Sequence, residues 1–281
     1  MWRGHLVCAQ YDPVVMQRND EDFENYIADT LAELPGVRAV ALGGSRATNT
    51  HTPDSDWDFA LYYRRDFDPE DLRAVGWPGE ISAIGGWGGG VFNGGAWIEV
   101  DGRHIDVHYR DFDDVEHHLA EARQGRFHLE RLAFHMAGIP SYLVVAELAM
   151  NRTLRGELPK PEYPEALSKA ASDVWWQVAQ LTLGYVREAH AERGHLTETV
   201  AAIGQAACEA GHALLAYRRE WVTNEKRLLE RAGLREIDEI LAGIRGDADS
   251  LTKAVDDALV LLNAKVAAET DESATLSLLV E

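Results

Sequence analysis

The stretch ALGGSRATNTHTPDSDWDFALYY, residues 41–63, holds two apolar segments separated by a polar turn. The run VRAVAL at 37–42 predicts a short strand, and WDFALYY at 57–63 predicts a second one, because both are rich in branched or aromatic residues. Glycine, serine, asparagine and proline between them are typical of a loop. Two aspartates, Asp56 and Asp58, stand where the second strand begins.

The alternation of a strand places these two carboxylates on one face. Residues two apart point the same way, so Asp56, Asp58 and Ala60 share one face, while Trp57 and Phe59 share the other. Two negative charges at that spacing repel each other, and a divalent cation removes the conflict. Carboxylate oxygens are ligands that Mg²⁺ prefers, together with water and substrate phosphates.

A third carboxylate lies in the segment RHIDVHYR, residues 103–110. The dipeptide DG at 101–102 is a strong turn signal, so a hairpin is predicted around it. Asp106 joins Asp56 and Asp58 if its strand lies beside theirs. Three carboxylates together would hold two metal ions, an arrangement that polarises a phosphate and activates an attacking hydroxyl.

The turn Gly43-Gly44-Ser45 supplies a second part of a phosphate site. Glycine allows close approach of the backbone, and the turn N–H groups together with the Ser45 hydroxyl can hold triphosphate oxygens. Arg46 is interpreted either as a bidentate phosphate ligand or as a solvated side chain. The sequence therefore predicts nucleotide contacts at Gly44, Ser45 and Arg46.

The GGS turn, the Asp-Trp-Asp inside an apolar strand and the later Ile-Asp-Val together resemble the polymerase-beta-type nucleotidyltransferase superfamily. Within it, they are similar to the minimal branch that includes aminoglycoside nucleotidyltransferases. The resemblance covers about residues 37–109 and implies that Gly44 and Ser45 bind a nucleoside triphosphate, ATP or another one. It also implies Mg²⁺ as cofactor, with two ions. The implied catalytic metal ligands are Asp56, Asp58 and Asp106.

Further candidates lie beside and beyond this pattern. Glu147 stands in the apolar run YLVVAELAMNR, where a carboxylate is costly unless paired, so it is a candidate general base; the alternative is a partly exposed helix residue. The segment NEKRLLERAG, 224–233, resembles an Asn/Glu-Lys segment of some antibiotic adenylyltransferases. That resemblance implies a contact of Lys226 with the triphosphate, and the alternative is a solvated lysine. His104 and His108 flank Asp106 and are candidates to orient it.

The 281 residues suffice for one large domain or two ordinary ones. We expect the α+β class: a nucleotidyltransferase domain over 1–125, with a mixed sheet and flanking helices, and an all-helical domain over 126–281. The helical domain would close over substrate and nucleotide. Helical spacing predicts a helix over 127–137 among others. Seven glycines within 81–95 predict either strand ends joined by a wide loop or a flap.

Composition narrows the function classes. The net charge of −20 argues against broad nucleic-acid binding. It suits a cationic acceptor, and the alternative is an acidic surface that serves solubility alone. The two cysteines, Cys8 and Cys208, provide neither a disulfide framework nor metal-ligand spacing. We find no run of about 18 apolar residues and no long apolar segment near the N-terminus, so we expect a cytoplasmic protein without a membrane partner.

The expected activity is Mg²⁺-dependent transfer of a nucleoside monophosphate, AMP from ATP, to a hydroxyl of a small molecule. An aminoglycoside-type antibiotic is the acceptor that the resemblance implies, with antibiotic resistance as the consequence. Two alternatives stay open: nucleotidyl transfer to a protein or an RNA, as in toxin–antitoxin-type enzymes, and a nucleotide-binding protein without turnover. The sequence does not indicate the acceptor, the preferred base or the oligomeric state.

Overall fold

A six-stranded mixed sheet organises the N-terminal part of the molecule. The computed structural model describes the backbone of residues 18–278 and side chains up to residue 269. The strands are β1 (Val37–Leu42), β2 (Trp57–Tyr63), β3 (Gly79–Ile81), β4 (Gly95–Val100), β5 (Arg103–Asp111), β6 (Leu129–Glu130), β7 (Ile139–Pro140) and β8 (Arg152–Arg155). The sheet order is β3-β4-β5-β2-β1-β8, and β6 pairs with β7 separately. Only β2 and β5 run parallel among these described pairs.

Helices flank the sheet and form most of the C-terminal part. They are α1 (Asp20–Ala32), α2 (Gly44–Ala47), α3 (Pro69–Ala74), α4 (Phe112–Arg123), α5 (Leu143–Met150), α6 (Glu165–Ala189), α7 (Leu196–Tyr217), α8 (Leu228–Ala232), α9 (Ile237–Ala242) and α10 (Ala248–Leu278). The predicted class, a mixed sheet with flanking helices followed by a helical region, is confirmed.

Helix α1 covers one face of the sheet. Its N-terminus is capped by the Asn19 side chain, which accepts a hydrogen bond from the Asp22 N–H at 2.9 Å. Three acidic residues in its first turn suit the positive end of the helix dipole. On its apolar side, the Phe23 ring packs edge-on against Trp57 at 5.1 Å between centroids. The predicted apolar face of β2 is thus buried against α1.

The opposite face of β2 packs on helices of the second half. Ala60 and Tyr62 are buried in a cluster that includes side chains of α4, α5 and α6. Asp58 lies on the same face, nearer the beginning of the strand, and is half-buried. The face that the helices cover is therefore also the face that carries the carboxylates.

The predicted hairpin around residues 101–102 is confirmed by the pairing of β4 with β5. Asp101 and Gly102 both have positive φ, 52° and 71°, which the two-residue hairpin turn of primed type requires. Beyond β3, the glycine-rich segment forms a wide loop of turns before β4 begins. Of the two alternatives for 81–95, strand ends joined by a wide loop describe the structure.

The helical region packs around its own apolar core. Leu183 of α6, Ile203 of α7 and Leu251 of α10 are buried together.

The chain between α5 and α6 returns to the sheet as β8, which pairs with β1. The sheet thus takes its last strand from beyond residue 125. The predicted boundary between 125 and 126 stays a prediction, and Cys8, with the rest of 1–17, lies outside the described residues.

The predicted helix over 127–137 is wrong. The segment forms strand β6 and turns, and β6 pairs with β7. The Ser141 N–H donates to the His128 carbonyl at 2.9 Å, and the Ser141 hydroxyl accepts from the His128 N–H at 3.2 Å. These hydrogen bonds across the two-stranded ribbon satisfy the backbone N–H and C=O groups without a helix.

Among the helices that the structure describes, none is both long and apolar enough to cross a membrane.

Candidate functional site

The pairing of β2 with β5 brings two predicted site residues side by side. In this parallel register, Asp58 and Asp106 are direct Cα partners. One carboxylate oxygen of each and a ring nitrogen of His108 all lie within 4.8 Å of one another. Asp56, one residue before β2, is exposed and is not one of these three. The sheet therefore assembles a compact acidic group from residues far apart in sequence.

The electrostatics of this group follow from burial and like charge. Burial raises the pKa of Asp58 to about 6, and the negative charge of Asp106 adds to the rise. Burial also raises the pKa of Asp106, and the charge of Asp56 adds there. His108 is half-buried, and the burial of its ring lowers its pKa to about 4, so the ring is neutral near pH 7. The site thus concentrates negative charge beside a neutral imidazole.

The raised pKa of Asp58 predicts how the metal-free protein responds to pH. Because the folded-state pKa lies above the unfolded value of 3.8, the fold favours the protonated carboxyl. Stability that is present near pH 4 should fall as pH rises to about 6, by up to about 3 kcal/mol from this group. Urea unfolding in EDTA at several pH values measures it. Asp58→Asn should remove that part of the slope, and an unchanged slope would contradict the prediction.

The glycine turn lies directly against Asp58. The Gly43 N–H donates to the Asp58 carbonyl at 2.7 Å, which ties the end of β1 to β2. Gly44 has a φ of +59°, and a Cβ built there would lie 1.8 Å from Asp58 Oδ2. Ser45 follows in α2 and is half-buried. The turn thus needs glycine at 44 both for its conformation and for the carboxylate behind it.

Gly44→Ala should therefore displace the Asp58 carboxylate and suppress the nucleotide transfer that the sequence predicts. Gly76→Ala is a matched control, because Gly76 also has a positive φ, +82°, but a Cβ there meets nothing within 4 Å. Both variants should lose about 1–2 kcal/mol of unfolding free energy from the backbone conformation. Only Gly44→Ala should also lose activity, measured as pyrophosphate release. Equal activity of the two variants would show that the turn does not control Asp58.

Of the two interpretations of Arg46, the solvated side chain is wrong. Its side chain is only 9% exposed, and its contact with a phosphate stays a prediction. The guanidinium donates to the Ser55 carbonyl at 2.9 Å and lies 4.0 Å from the centre of the Trp57 ring. It holds the loop that precedes β2 in place. Stacking on Trp57 and hydrogen bonds to the carbonyls of Ser55 and Asp56 satisfy this cation within the protein.

Comparison with known proteins finds a family that part of this chain resembles. Residues 25–87 match the family model described as nucleotidyltransferase domain. This segment is therefore similar to a nucleotidyltransferase domain. The matched segment contains the glycine turn, Asp56 and Asp58, whereas Asp106 lies beyond it. The domain is that of a transferase enzyme, and it supports nucleotidyl transfer as the general activity.

Beyond this family match, the chain has a distant similarity to a solved structure. The chain is similar to a nucleotidyltransferase-like protein from Exiguobacterium sibiricum 255-15, with 11% identity and a TM-score of 0.43. The similarity covers 89% of this chain and 76% of that one. No curated protein matches the sequence significantly.

Glu147 lies close enough to Asp58 to act on it electrostatically, but it is already paired. Its two carboxylate oxygens accept from Arg110, at 2.6 Å from Nε and 2.7 Å from Nη2. Burial alone would raise the pKa of Glu147, but the charge and hydrogen bonds of Arg110 outweigh it and hold the pKa below its usual range. The expectation of a general base is not supported, because a carboxylate so engaged accepts a proton poorly.

Lys226, in the helical region, is close enough to Asp58 and Asp106 to act on them electrostatically. It is exposed, and its positive charge opposes the pKa rise of both Asp58 and Asp106. Its neighbour Glu225 accepts from the backbone N–H groups of Met136 and Ala137, at 2.6 and 3.0 Å. These bonds anchor the segment that carries the lysine. The charge of Lys226 thus reaches the carboxylates, and its contact with a triphosphate stays a prediction.

The donor set fits a divalent cation. Asp58 and Asp106 offer hard oxygen ligands, as Mg²⁺ prefers, and an additional imidazole suits Mn²⁺ and other transition metals. The His108 Nδ1 is buried and has no hydrogen-bond partner among the described side chains. A buried polar nitrogen without a partner is costly, so this ring is in an unusual position.

Arg110 and Glu225 are the residues that sequence reasoning missed. Arg110 ends the run RHIDVHYR as one more strand residue, and nothing local predicts that it is 2% exposed. Glu225 adjoins Lys226 in the quoted NEK segment, which offered a weak signal. Both act through partners far away in sequence, so local patterns do not reveal them.

Proposed function

We propose that this protein transfers a nucleoside monophosphate, AMP from ATP, to a hydroxyl of a small molecule, with Mg²⁺ as cofactor, in the cytoplasm where nucleoside triphosphates occur. The observation that carries the proposal is the register of β2 and β5. It sets Asp58 beside Asp106, directly against the glycine turn. The match of residues 25–87 to a nucleotidyltransferase domain supports the same reaction class.

The proposed roles follow from the positions of the groups. Gly44 and Ser45 hold triphosphate oxygens through the turn, and Lys226 approaches them from the helical region. Asp56, Asp58 and Asp106 would hold two Mg²⁺ ions. Bound Mg²⁺ would polarise the α-phosphate and neutralise the charge that develops on it.

In the proposed step, the acceptor oxygen forms a bond to the α-phosphorus as the bond from that phosphorus to the bridging oxygen breaks. Pyrophosphate leaves with the electron pair of that bond. Asp106 takes the acceptor proton, since Glu147 is engaged by Arg110 and its pKa is lowered. We assign Glu147 a positioning role, because its pairing joins β5 to α5 beside the site.

A panel of acceptors tests the proposal. Purified protein is incubated with Mg²⁺, each labelled nucleoside triphosphate, and either aminoglycosides, proteins or RNA. Pyrophosphate release that depends on one small hydroxyl compound and is greatest with ATP is the expected result. Label transferred to a protein or an RNA instead would replace the acceptor assignment. Tight triphosphate binding without any transfer would overturn the proposed activity.

Lys226→Ala should weaken binding of a non-hydrolysable ATP analogue about tenfold or more, because an ammonium opposite a triphosphate is lost. Arg227→Ala is the matched control. The Arg227 guanidinium is bound to Glu230 at 2.7 Å and is exposed. Titration calorimetry with Mg²⁺ present measures both affinities. Equal losses in the two variants would assign the effect to general surface charge, and no loss in either would remove Lys226 from the nucleotide site.

A further inference from the structure

A cluster of metal-ligating side chains lies at the connection between α6 and α7, far along the chain from β2 and β5. His190 follows the last residue of α6, and His195 precedes the first residue of α7. Glu198 stands in the first turn of α7. One ligand atom of each of the three lies within 4.8 Å of the other two. We call His190, His195 and Glu198 the helix-connection cluster.

The spacing of the two imidazoles matches that of two ligands on one metal ion. The Nδ1 atoms of His190 and His195 are 3.2 Å apart, and their rings are inclined by 48°. In a tetrahedral zinc site with Zn–N bonds of about 2.0–2.1 Å, two nitrogen ligands lie roughly 3.3 Å apart. One ion can therefore bind both nitrogens at nearly the separation that they already have.

The backbone fixes the two histidines relative to each other. The His195 N–H donates to the His190 carbonyl at 3.1 Å, across a turn in which Gly194 has a φ of +75°. Ala191, inside that turn, is buried in the core of the helical region. The Thr199 hydroxyl donates to the His195 carbonyl at 2.7 Å, and Thr199 is buried as well. Ligands on such an anchored turn lose little conformational freedom when they bind an ion.

The charges around the cluster leave the Glu198 carboxylate available for a cation. Arg187, in the last turn of α6, is bound to Asp256 at 2.7 Å and to Glu192 at 2.6 Å. Arg193 donates to a backbone carbonyl of α6. Glu198 itself forms no ion pair with any side chain that the structure describes. The C-terminal end of α6 favours a cation, and the N-terminal end of α7 favours the carboxylate.

The ligand set selects the class of ion. Two imidazole nitrogens and one carboxylate oxygen suit Zn²⁺ and neighbouring transition-metal ions, which accept nitrogen ligands. Mg²⁺ and Ca²⁺ prefer oxygen ligands, and the helix-connection cluster offers a single carboxylate. The group of Asp58, Asp106 and His108 has the opposite balance, with two carboxylates and one imidazole. The two groups therefore differ in the ion that they prefer.

We propose that the helix-connection cluster is a metal site of its own, which binds one Zn²⁺ ion through His190, His195 and Glu198, with water in the fourth position. The bound ion links the end of α6 to the beginning of α7 and stabilises this corner of the helical region. None of its ligands belongs to the group on β2 and β5, so this inference does not rest on the proposed function.

Titration calorimetry of the metal-free full chain with Zn²⁺ tests the site. Because the carboxylates of β2 and β5 can also take up Zn²⁺, Asp106→Asn is titrated beside the wild-type protein, and the helix-connection site should be present in both. His190→Ala and His195→Ala should weaken this binding at least about tenfold, and Glu198→Gln severalfold. Mg²⁺ should not compete for it. Absence of Zn²⁺ binding in Asp106→Asn would overturn the proposal.

His117→Ala is the matched control. His117 is also exposed, and its ring lies 5.4 Å from that of His118, close to the 5.5 Å between the rings of His190 and His195. It belongs to no compact metal-ligand group within the part of the chain that the structure describes. Its replacement should leave the Zn²⁺ affinity unchanged. A loss equal to that of His195→Ala would assign the binding to surface histidines in general and overturn the site.

Thermal unfolding gives a second measurement. Zn²⁺ should raise the unfolding temperature of the wild-type protein above its value in EDTA, because the ion binds the folded state, and the rise should be smaller in His195→Ala. The His195 side chain is exposed and makes no capping hydrogen bond with α7, so its replacement leaves the helix intact.

A hydrogen bond between two neutral imidazoles, without any metal, is the competing explanation of the distance between His190 and His195. It requires the Zn²⁺ affinity and the rise in unfolding temperature to be the same in His195→Ala as in the wild-type protein. That result would overturn the metal site.

Discussion

Asp106→Asn and Asp58→Asn should each lower the rate of pyrophosphate release by about two to three orders of magnitude. Each removes one charged oxygen ligand from the group that Asp58, Asp106 and His108 form, and Asp106→Asn also removes the proposed proton acceptor. The shapes of the side chains hardly change, so loss of folding does not explain such an effect. The rates are measured with saturating ATP and Mg²⁺ and the acceptor found in the panel.

A rise in stability should accompany this loss of activity. Because burial and like charge raise the pKa of Asp58, its ionised form destabilises the metal-free protein above about pH 6. Asp58→Asn removes that charge and should raise the unfolding temperature in EDTA at pH 7. Asp54→Asn is the control, an exposed carboxylate in the same loop as Asp56. Full activity in Asp58→Asn and Asp106→Asn would exclude the carboxylate site.

Arg110→Met should lower the free energy of unfolding by about 3–5 kcal/mol, because it leaves the Glu147 carboxylate buried without its partner. Arg110 is 2% exposed and binds Glu147 through two hydrogen bonds. Glu147→Gln should destabilise in the same direction, since it leaves the Arg110 charge uncompensated. Urea unfolding at pH 7 measures both variants.

The double variant Arg110→Met/Glu147→Leu shows whether Arg110 and Glu147 stabilise the fold through their contact with each other or independently. With both charges gone and apolar groups in their place, most of the lost stability should return. Arg126→Met is the control, because Arg126 makes a similar two-bond contact with Glu121 at an exposed position and should change stability far less. A double variant as unstable as the sum of the singles would contradict the pairing argument.

The double variant also tests the role of Glu147. If Glu147 acts through its contact with Arg110, the stable double variant should transfer nucleotide at a reduced but measurable rate with an unchanged pH profile. If Glu147 were the general base, activity would be abolished although the protein is folded, and the pH profile of any residual activity would lose one ionisation.

Much of the fold follows from local rules. The alternation in WDFALYY predicted which side chains of β2 are buried, and Trp57 and Phe59 indeed pack under α1. The DG dipeptide predicted the β4–β5 hairpin from its need for positive φ. The helix predicted over 127–137 failed, because cross-ribbon hydrogen bonds between His128 and Ser141 decide that segment and helical spacing does not detect them.

In the candidate site, too, local sequence patterns select some residues, while the contacts of others depend on tertiary structure. Gly44, Asp58 and Asp106 could be selected from sequence, because a strand-ending glycine turn and alternating carboxylates are short-range patterns. Arg46 could not be assigned, since its partner is the loop before β2 and its ring contact is Trp57. Glu147 was recognised as a buried charge that needs a partner, but the sequence did not show that the partner is Arg110.

The sequence by itself determined the turn conformations and the side of each strand on which a side chain lies, because both depend on residues two to four positions apart. Only the tertiary structure decided which strands are neighbours, and therefore that Asp58 lies opposite Asp106 and that Trp97 lies next to Asp106. It also decided that Lys226 approaches from the helical region. Such contacts join distant segments, and they form only where the packing of the two buried faces and the pairing of all strands agree.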